Sequence, residues 1–258
     1  MFKRLRIAVL MFILLFVTVG HYLSARRSTD WDATLWVDIY PVSGDSRALT
    51  QEYLDNLTLA EFNDIEAFFA SQAKRYGVTL DRPVRLNLAA PVDRALPQLS
   101  ATPSLFDTIL WSLRMRWLAT TLQWRSSMPA ADIIVFAVFH DATNAAMLDR
   151  STALEKGLIA VANLFADRAA RGSNQVVLTH ELLHTLGATD KYEPGSNAPR
   201  FPDGYAAPER VPLFPQSSAE LMAGRIAISE HRAEIPDSLR QVVIGAATAE
   251  EIGWLRND

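Results

Sequence analysis

The sequence contains no cysteine among its 258 residues. Disulfide bonds, thiolate nucleophiles, cysteine zinc knuckles and a cysteine-based latency switch are therefore excluded. It also lacks an excess of positive charge, because 25 lysine and arginine residues face 29 aspartate and glutamate residues. A nucleic-acid partner, which favours a basic face, is accordingly not expected. Hydrophobic residues make up 49% of the chain, which predicts a folded domain rather than a disordered one.

The one long apolar run lies near the start of the chain, where residues 7–23 follow three basic side chains. Its seventeen residues reach the lower limit for a membrane-spanning helix. This pattern favours an uncleaved signal anchor over residues 1–27, and a cleaved signal peptide ending at Gly20 or Ala25 is the alternative. We therefore expect a single-pass membrane protein whose main domain, residues 28–258, is exported to the periplasm or the cell exterior. With cleavage, the domain is secreted.

Hydrophobic periodicity predicts an α+β fold with the element order β-α-β-α-β-β-α over residues 28–187. Residues 188–258 form an irregular second subdomain, because residues 193–215 hold six prolines and two glycines. A capping pattern at Thr248 predicts a short final helix. The first helix is expected to begin with a capping box at Thr58. In the second helix, which begins at Ser104, five side chains are expected to point into the core: Phe106, Ile109, Leu110, Leu113 and Trp117.

The most specific chemical pattern is His180-Glu181-Leu182-Leu183-His184, on a helix predicted to run from Ser173 or Asn174 to Gly187. Two histidines four positions apart project from one helix face, so both imidazoles can bind one zinc ion. Glu181 lies beside such an ion rather than on it, where it can accept a proton from the attacking water. The alternative interpretation is a chance match on a buried helix.

A catalytic zinc site needs a third protein ligand and one open position. Gly187 lets the chain leave the helix through a left-handed turn, and Asp190 follows three residues later. An aspartate oxygen is an acceptable zinc ligand, so Asp190 is the predicted third ligand. A solvated loop carboxylate is the alternative for Asp190, and His231 is a weaker candidate for the same place.

Residues 180–190, H-E-L-L-H-T-L-G-A-T-D, resemble the HExxHxxGxxD signature of the metzincin peptidases, in the form found in snapalysin-like bacterial enzymes. Residues 220–224, E-L-M-A-G, are similar to the Met-turn of that family. The resemblance implies a zincin-like fold in which a mixed twisted sheet is backed by two helices. It also implies a zinc endopeptidase with one catalytic Zn²⁺, and the implied site consists of the ligands His180, His184 and Asp190, the base Glu181, and Met222 beneath the metal.

The same resemblance implies that an edge strand before the active-site helix binds the peptide or protein substrate in extended form. In this chain that place falls to residues 157–164, with Leu158, Ala160 and Ala162 as candidate contacts. An internal strand is the alternative. Tyr192 is a candidate catalytic hydroxyl, although a packing role is favoured.

Other interpretations stay open at this point. A gluzincin-type hydrolase would take its third ligand from a later glutamate, with Glu209 or Glu220 as candidates. A membrane-tethered module that binds peptides without turnover is a further alternative, but simple binding has no use for Glu181. His140 and Asp141 end a predicted strand and are weak candidates for a ligand contact.

Overall fold

A computed structural model describes residues 29–45, 47–99, 104–126, 128–143, 152–154 and 158–255. Its strands are β1 (Leu35–Ser43), β2 (Val84–Leu88), β3 (Ile133–His140), β4 (Thr152–Leu154), β5 (Ile159–Phe165), β6 (Ala219–Glu220), β7 (Ile226–Ser229), β8 (Arg232–Glu234) and β9 (Val242–Val243). Its α-helices are α1 (Ala48–Asp55), α2 (Asn63–Arg75), α3 (Leu105–Arg125), α4 (Arg171–Thr185) and α5 (Ala246–Glu251). The predicted mixed α+β fold is thereby confirmed.

The five strands β1 to β5 form one sheet in the order β2-β1-β3-β5-β4. The strands β2, β1, β3 and β5 run parallel to one another, whereas β4 pairs antiparallel with β5. The sequence of the central strand β3 is an unbroken apolar run because both faces of the strand are buried. Ile133, Val135 and Ala137 pack into the core on one face of the sheet, and Ile134 and Phe136 pack into a second core on the other.

The two cores are covered by different helices. Side chains of α2 and α4, such as Phe69 and Leu182, belong to the first core. The helix α3 covers the opposite face through Trp111, Met115 and Leu118. The sheet therefore holds α4 on one side, close to the irregular region that follows it.

The prediction of a single-pass membrane protein is corrected by the structure. Within the described residues, no helix is both long enough and apolar enough to cross a bilayer. Residues 7–23, to which the signal anchor was assigned, lie outside the described part of the chain.

The predicted inward face of α3 is wrong. Phe106, Ile109, Leu113 and Trp117 are exposed, with Trp117 at 68%, and Leu110 is half-buried. Apolar residues occur all around this helix, so its 3.6-residue period fits more than one face. The face that packs is selected by contact with the sheet. The capping box at Ser104 is present, because Ser104 and Asp107 bond reciprocally.

Three further predictions are corrected. The strand expected at the sheet edge, with Ala160 and Ala162, is the internal strand β5, and Leu158 precedes it; the unanticipated β4 takes the edge. Thr58 precedes a 3₁₀ turn and makes no side-chain capping bond. Thr248 lies inside α5 rather than at its start, and its hydroxyl donates to Glu220 at 2.7 Å instead of capping the helix.

Candidate metal centre

The helix α4 is fixed to the sheet before it reaches the candidate ligands. The Asn174 side chain accepts from the backbone N–H of Phe165 at 2.9 Å and donates to its carbonyl at 2.8 Å. Leu178, Leu182 and Leu183 are fully buried in the core. The face that carries His180 and His184 is less buried, so the two imidazoles are the groups that α4 presents outside the core.

The chain leaves α4 through the left-handed turn that was predicted at Gly187. The helix ends at Thr185, and Gly187 has φ +98° in the left-handed region that favours glycine. The backbone N–H groups of Gly187 and Ala188 donate to the carbonyls of His184 and Leu183, at 3.2 and 3.1 Å. The reversal directs the following residues back past the histidines.

Three ligand atoms converge at this reversal. The Nε2 atoms of His180 and His184 are 3.0 Å apart. Asp190 Oδ1 lies 3.2 Å from each of them. Zinc bonds of about 2.0–2.1 Å in tetrahedral geometry separate neighbouring ligand atoms by about 3.3–3.4 Å. The three separations are therefore close to those of a zinc site, and the three residues fit the ion.

The hydrogen bonds of the two Nδ1 atoms indicate which ring nitrogens present lone pairs to the centre. His180 Nδ1 lies 3.0 Å from the carbonyl oxygen of Leu221, and His184 Nδ1 lies 2.8 Å from that of Ala188. A carbonyl oxygen only accepts, so we assign the proton of each neutral ring to Nδ1. Each Nε2 then points a lone pair at Asp190, so a cation placed between the three atoms would be stabilised.

The pKa values of His184 and Asp190 also favour a positive charge between these two side chains. Burial acts to lower the pKa of His184, but the hydrogen bond with Asp190 and the other partners outweigh it and raise that pKa. Burial likewise opposes ionised Asp190, yet the two imidazoles hold the pKa of its carboxyl well below the ordinary range. A proton and a metal ion therefore compete for the same place.

Glu181 is a second carboxylate within reach. It is 5% exposed, and burial raises the pKa of its carboxyl above the ordinary value. Its Oε2 is buried with no hydrogen-bond partner among the described residues. Ligand atoms of Glu181, His180 and His184 all lie within 4.8 Å of one another, so Glu181 also qualifies as a metal ligand by distance. We favour Asp190 for that role because its Oδ1 touches both imidazoles at once.

The turn that contains Met222 lies against the first histidine. Leu221, Met222 and Ala223 form a 3₁₀ turn and are buried, with Met222 completely so. The turn ends at Gly224, whose φ of +67° again suits glycine. Besides the Leu221 carbonyl on His180, the Met222 carbonyl accepts from the backbone N–H of Lys191 at 2.9 Å. The turn thus connects the helix that carries His180 with the residue after Asp190.

The remaining candidates are placed elsewhere or have other partners. The carboxylate of Glu220 is fully buried and accepts from Thr248, Gly245 and Ala223 rather than from a histidine. Glu209 is exposed in a turn, and His231 is exposed between β7 and β8. Each of the three is accordingly a weak candidate for the third ligand.

Three other candidates from the sequence also form contacts: Tyr192 lies near the centre, and His140 and Asp141 lie at the sheet. Tyr192 donates its hydroxyl to Asp190 Oδ2 at 3.0 Å, so it is adjacent to the centre. His140 Nε2 pairs with Asn163 at 3.1 Å, and Asp141 forms an ion pair with Arg47 at 3.0 Å. The interactions of His140 and Asp141 are thus with β5 and the segment after β1.

Sequence reasoning overlooked a group of polar residues around the loop that supplies Asp190. Thr189, Lys191 and Glu251 bond to one another there, although Glu251 is 62 positions from Thr189. Glu251 lies in the capping pattern that begins at Thr248, and no local pattern links it to the histidines.

Comparison with known proteins adds no relative to this picture. A scan against protein-family models finds no match, and a search among curated proteins finds no significant similarity. The class of protein is therefore defined by its own fold and site: an α+β domain with a candidate His-His-Asp metal centre.

Proposed function

We propose that the protein is a zinc-dependent peptidase of the metzincin-like, snapalysin-like kind that its sequence resembles. The observation that carries this proposal is the convergence of three lone pairs, two from imidazoles and one from Asp190, at 3.0–3.2 Å beside a buried carboxylate. His180, His184 and Asp190 would hold the ion. Zinc bound there supplies Lewis acidity, which acidifies water and polarises a carbonyl group.

Glu181 is the proposed general base. Its burial raises the pKa of the carboxyl, which brings a carboxylate closer to the range in which it both accepts and returns a proton near neutral pH. The free Oε2 is available to a water molecule, because it has no hydrogen-bond partner among the described residues. Glu181 accepts the proton of the attacking water and delivers it to the leaving amine.

The metzincin-like assignment has two further supports. The sheet combines parallel strands with one antiparallel strand, β4, at the edge that lies beyond β5. The buried Met222 turn contacts His180 through a backbone carbonyl. The sequence resemblance implies a mixed sheet and a turn at Met222, so both features support the proposal.

The substrate class proposed is an extended peptide. An edge strand offers backbone groups on its outer side, so a peptide can add to it as a further strand with little side-chain specificity. The strand β4 takes that position in the described part of the chain, in place of the strand containing Ala160 and Ala162.

Glu181→Gln tests the proposal because it keeps shape and removes the base. We expect kcat on a mixture of quenched-fluorescent peptides to fall about 10²- to 10⁴-fold. Zinc content, measured by mass spectrometry on the full chain, should remain one ion per chain. Chelation should abolish hydrolysis by the unaltered protein, and zinc should restore it.

The control is His231→Ala, which alters an exposed histidine outside the centre. It should leave hydrolysis and zinc content unchanged. A wild-type protein that binds zinc but hydrolyses no peptide, with Glu181→Gln indistinguishable from it in peptide binding, would favour the non-catalytic binding module instead.

A further inference from the structure

The carboxylate of Glu251, at the end of α5, collects several hydrogen bonds from the loop after α4. The backbone N–H of Thr189 donates to Oε2 at 2.9 Å, and the Thr189 hydroxyl donates to Oε1 at 2.7 Å. The ammonium group of Lys191 donates to both oxygens, at 2.6 and 2.7 Å. One carboxylate thus holds the residues immediately before and after Asp190.

Lys191 is unusual because a lysine is rarely buried without compensation. It is 5% exposed, and its ammonium group also donates to the carbonyl and the hydroxyl of Thr189, at 3.0 and 2.7 Å. Its backbone is fixed too, since its N–H donates to Met222 and its carbonyl accepts from Arg200 at 2.7 Å. The direction in which the intervening Asp190 side chain points is therefore determined at both ends.

The same carboxylate reaches a second candidate ligand through one peptide unit. The peptide between Ala188 and Thr189 donates its N–H to Glu251 and accepts from His184 Nδ1 with its carbonyl, at 2.8 Å. A charged acceptor on the N–H side polarises this peptide and strengthens its carbonyl as an acceptor. The orientation of the His184 ring is thus coupled to the position of Glu251.

From these contacts we propose that Glu251 is a positioning residue that sets the metal affinity of the centre, by fixing Asp190 and orienting His184 from the final helix. The proposal rests on the zinc function proposed above and deepens it. The lowered pKa of Glu251 agrees with it: burial alone would raise that pKa, but the bonds from Lys191 and Thr189 outweigh burial, so the carboxylate stays ionised.

Glu251→Gln tests the proposal by removing the charge while keeping the side-chain shape. Outer-sphere partners of metal ligands typically change affinity about 10- to 100-fold, so we expect the zinc dissociation constant to rise by that factor. It should be measured on the full chain by competition with a chromophoric chelator. The visible spectrum of the cobalt-substituted protein should also change, because ligand geometry sets its bands.

A matched control is Glu193→Gln. Glu193 pairs with Arg200 at 3.2 Å in the same irregular region, but both side chains are about half exposed and neither contacts a candidate ligand. Its zinc affinity and cobalt spectrum should equal those of the wild type. Thr189→Val is a milder second variant. It removes the hydroxyl that donates to Glu251 and accepts from Lys191 but retains the Lys191–Glu251 ion pair, and a few-fold loss of affinity is expected.

The outcomes separate this proposal from the one before it. A wild-type chain that binds no zinc defeats the proposed function itself. A wild type that binds zinc, together with Glu251→Gln and Thr189→Val variants of unchanged affinity and cobalt spectrum, overturns the positioning role alone. If Glu251→Gln does not fold, Thr189→Val decides the question.

Discussion

The candidate centre has two arms, and they hold their ligands in different ways. The helix α4 carries His180 and His184 on a regular backbone whose other faces are buried in the core. The loop of residues 186–191 carries Asp190 and is held instead by polar bonds to the Met222 turn and to Glu251. Helical geometry alone brings the histidines together, whereas the aspartate depends on residues distant in sequence.

That difference determines what can be read from sequence. A spacing of four residues on a helix places two imidazoles on one face whatever the rest of the chain does. No equivalent rule fixes a loop residue, so Asp190 could be predicted only from Gly187 and the family resemblance. Glu251 belongs to a capping pattern, but nothing in the sequence connects it with the candidate centre.

Removing one ligand from each arm gives the largest expected effect and compares the arms directly. Changes to outer-sphere partners weaken zinc binding by up to about 100-fold. His184→Ala and Asp190→Ala should each weaken it further, because each deletes a proposed direct ligand. The measurement is zinc affinity by chelator competition, with His231→Ala as the unaffected control.

Unequal results would sharpen the comparison. If His184→Ala loses zinc while Asp190→Ala retains wild-type affinity, the loop arm supplies no ligand. Glu181, which also lies within reach of both imidazoles, would then be the third ligand.

A smaller effect concerns two carboxylates near the centre. Glu220 caps the Met222 turn and Glu251 holds the loop arm, and their ionisation should affect stability with opposite sign. Burial raises the pKa of Glu220 above its ordinary 4.5, despite hydrogen bonds from Thr248 and from backbone N–H groups. Its contribution to stability is therefore complete below about pH 4.5 and is lost as pH rises through the folded-state pKa. The folded-state pKa of Glu251 is lowered, so its contribution is present above about pH 4.5 and is lost as pH falls.

Denaturant unfolding of the metal-free protein at several pH values checks this contrast. The free energy of unfolding of wild type, relative to Glu220→Gln, should decrease as pH rises above about 4.5, because the folded-state pKa of Glu220 is raised. Relative to Glu251→Gln, it should decrease as pH falls toward 3. Parallel trends in the two variants would contradict the assignment.

The fold was predictable to different depths in its parts. The strand β3 was predictable because residues 133–139 are all apolar and rich in β-branched side chains, which is typical of a strand buried on both faces. The packed face of α3 was reversed because Leu113 and Met115 are equally apolar, and contact with the sheet alone selects Met115. The edge strand β4 has only three residues, too few for a periodic signal. Because β4 was not predicted, β5 was wrongly assigned to the edge of the sheet.

The smallest effect is expected at Tyr192, which directly follows residues 186–191 of the loop arm and contacts the centre through Asp190. Its hydroxyl donates to Oδ2, the oxygen of Asp190 that does not face the histidines. Because a single hydrogen bond contributes about 0.5–1.5 kcal/mol, Tyr192→Phe should weaken zinc binding about 2- to 12-fold. A purely outer-sphere tyrosine should change kcat no more than the loss of bound zinc accounts for, so activity at saturating zinc should be near wild type. A large fall in kcat with zinc saturated would instead make Tyr192 a catalytic hydroxyl, and the loop arm would then contribute to turnover as well as to metal binding.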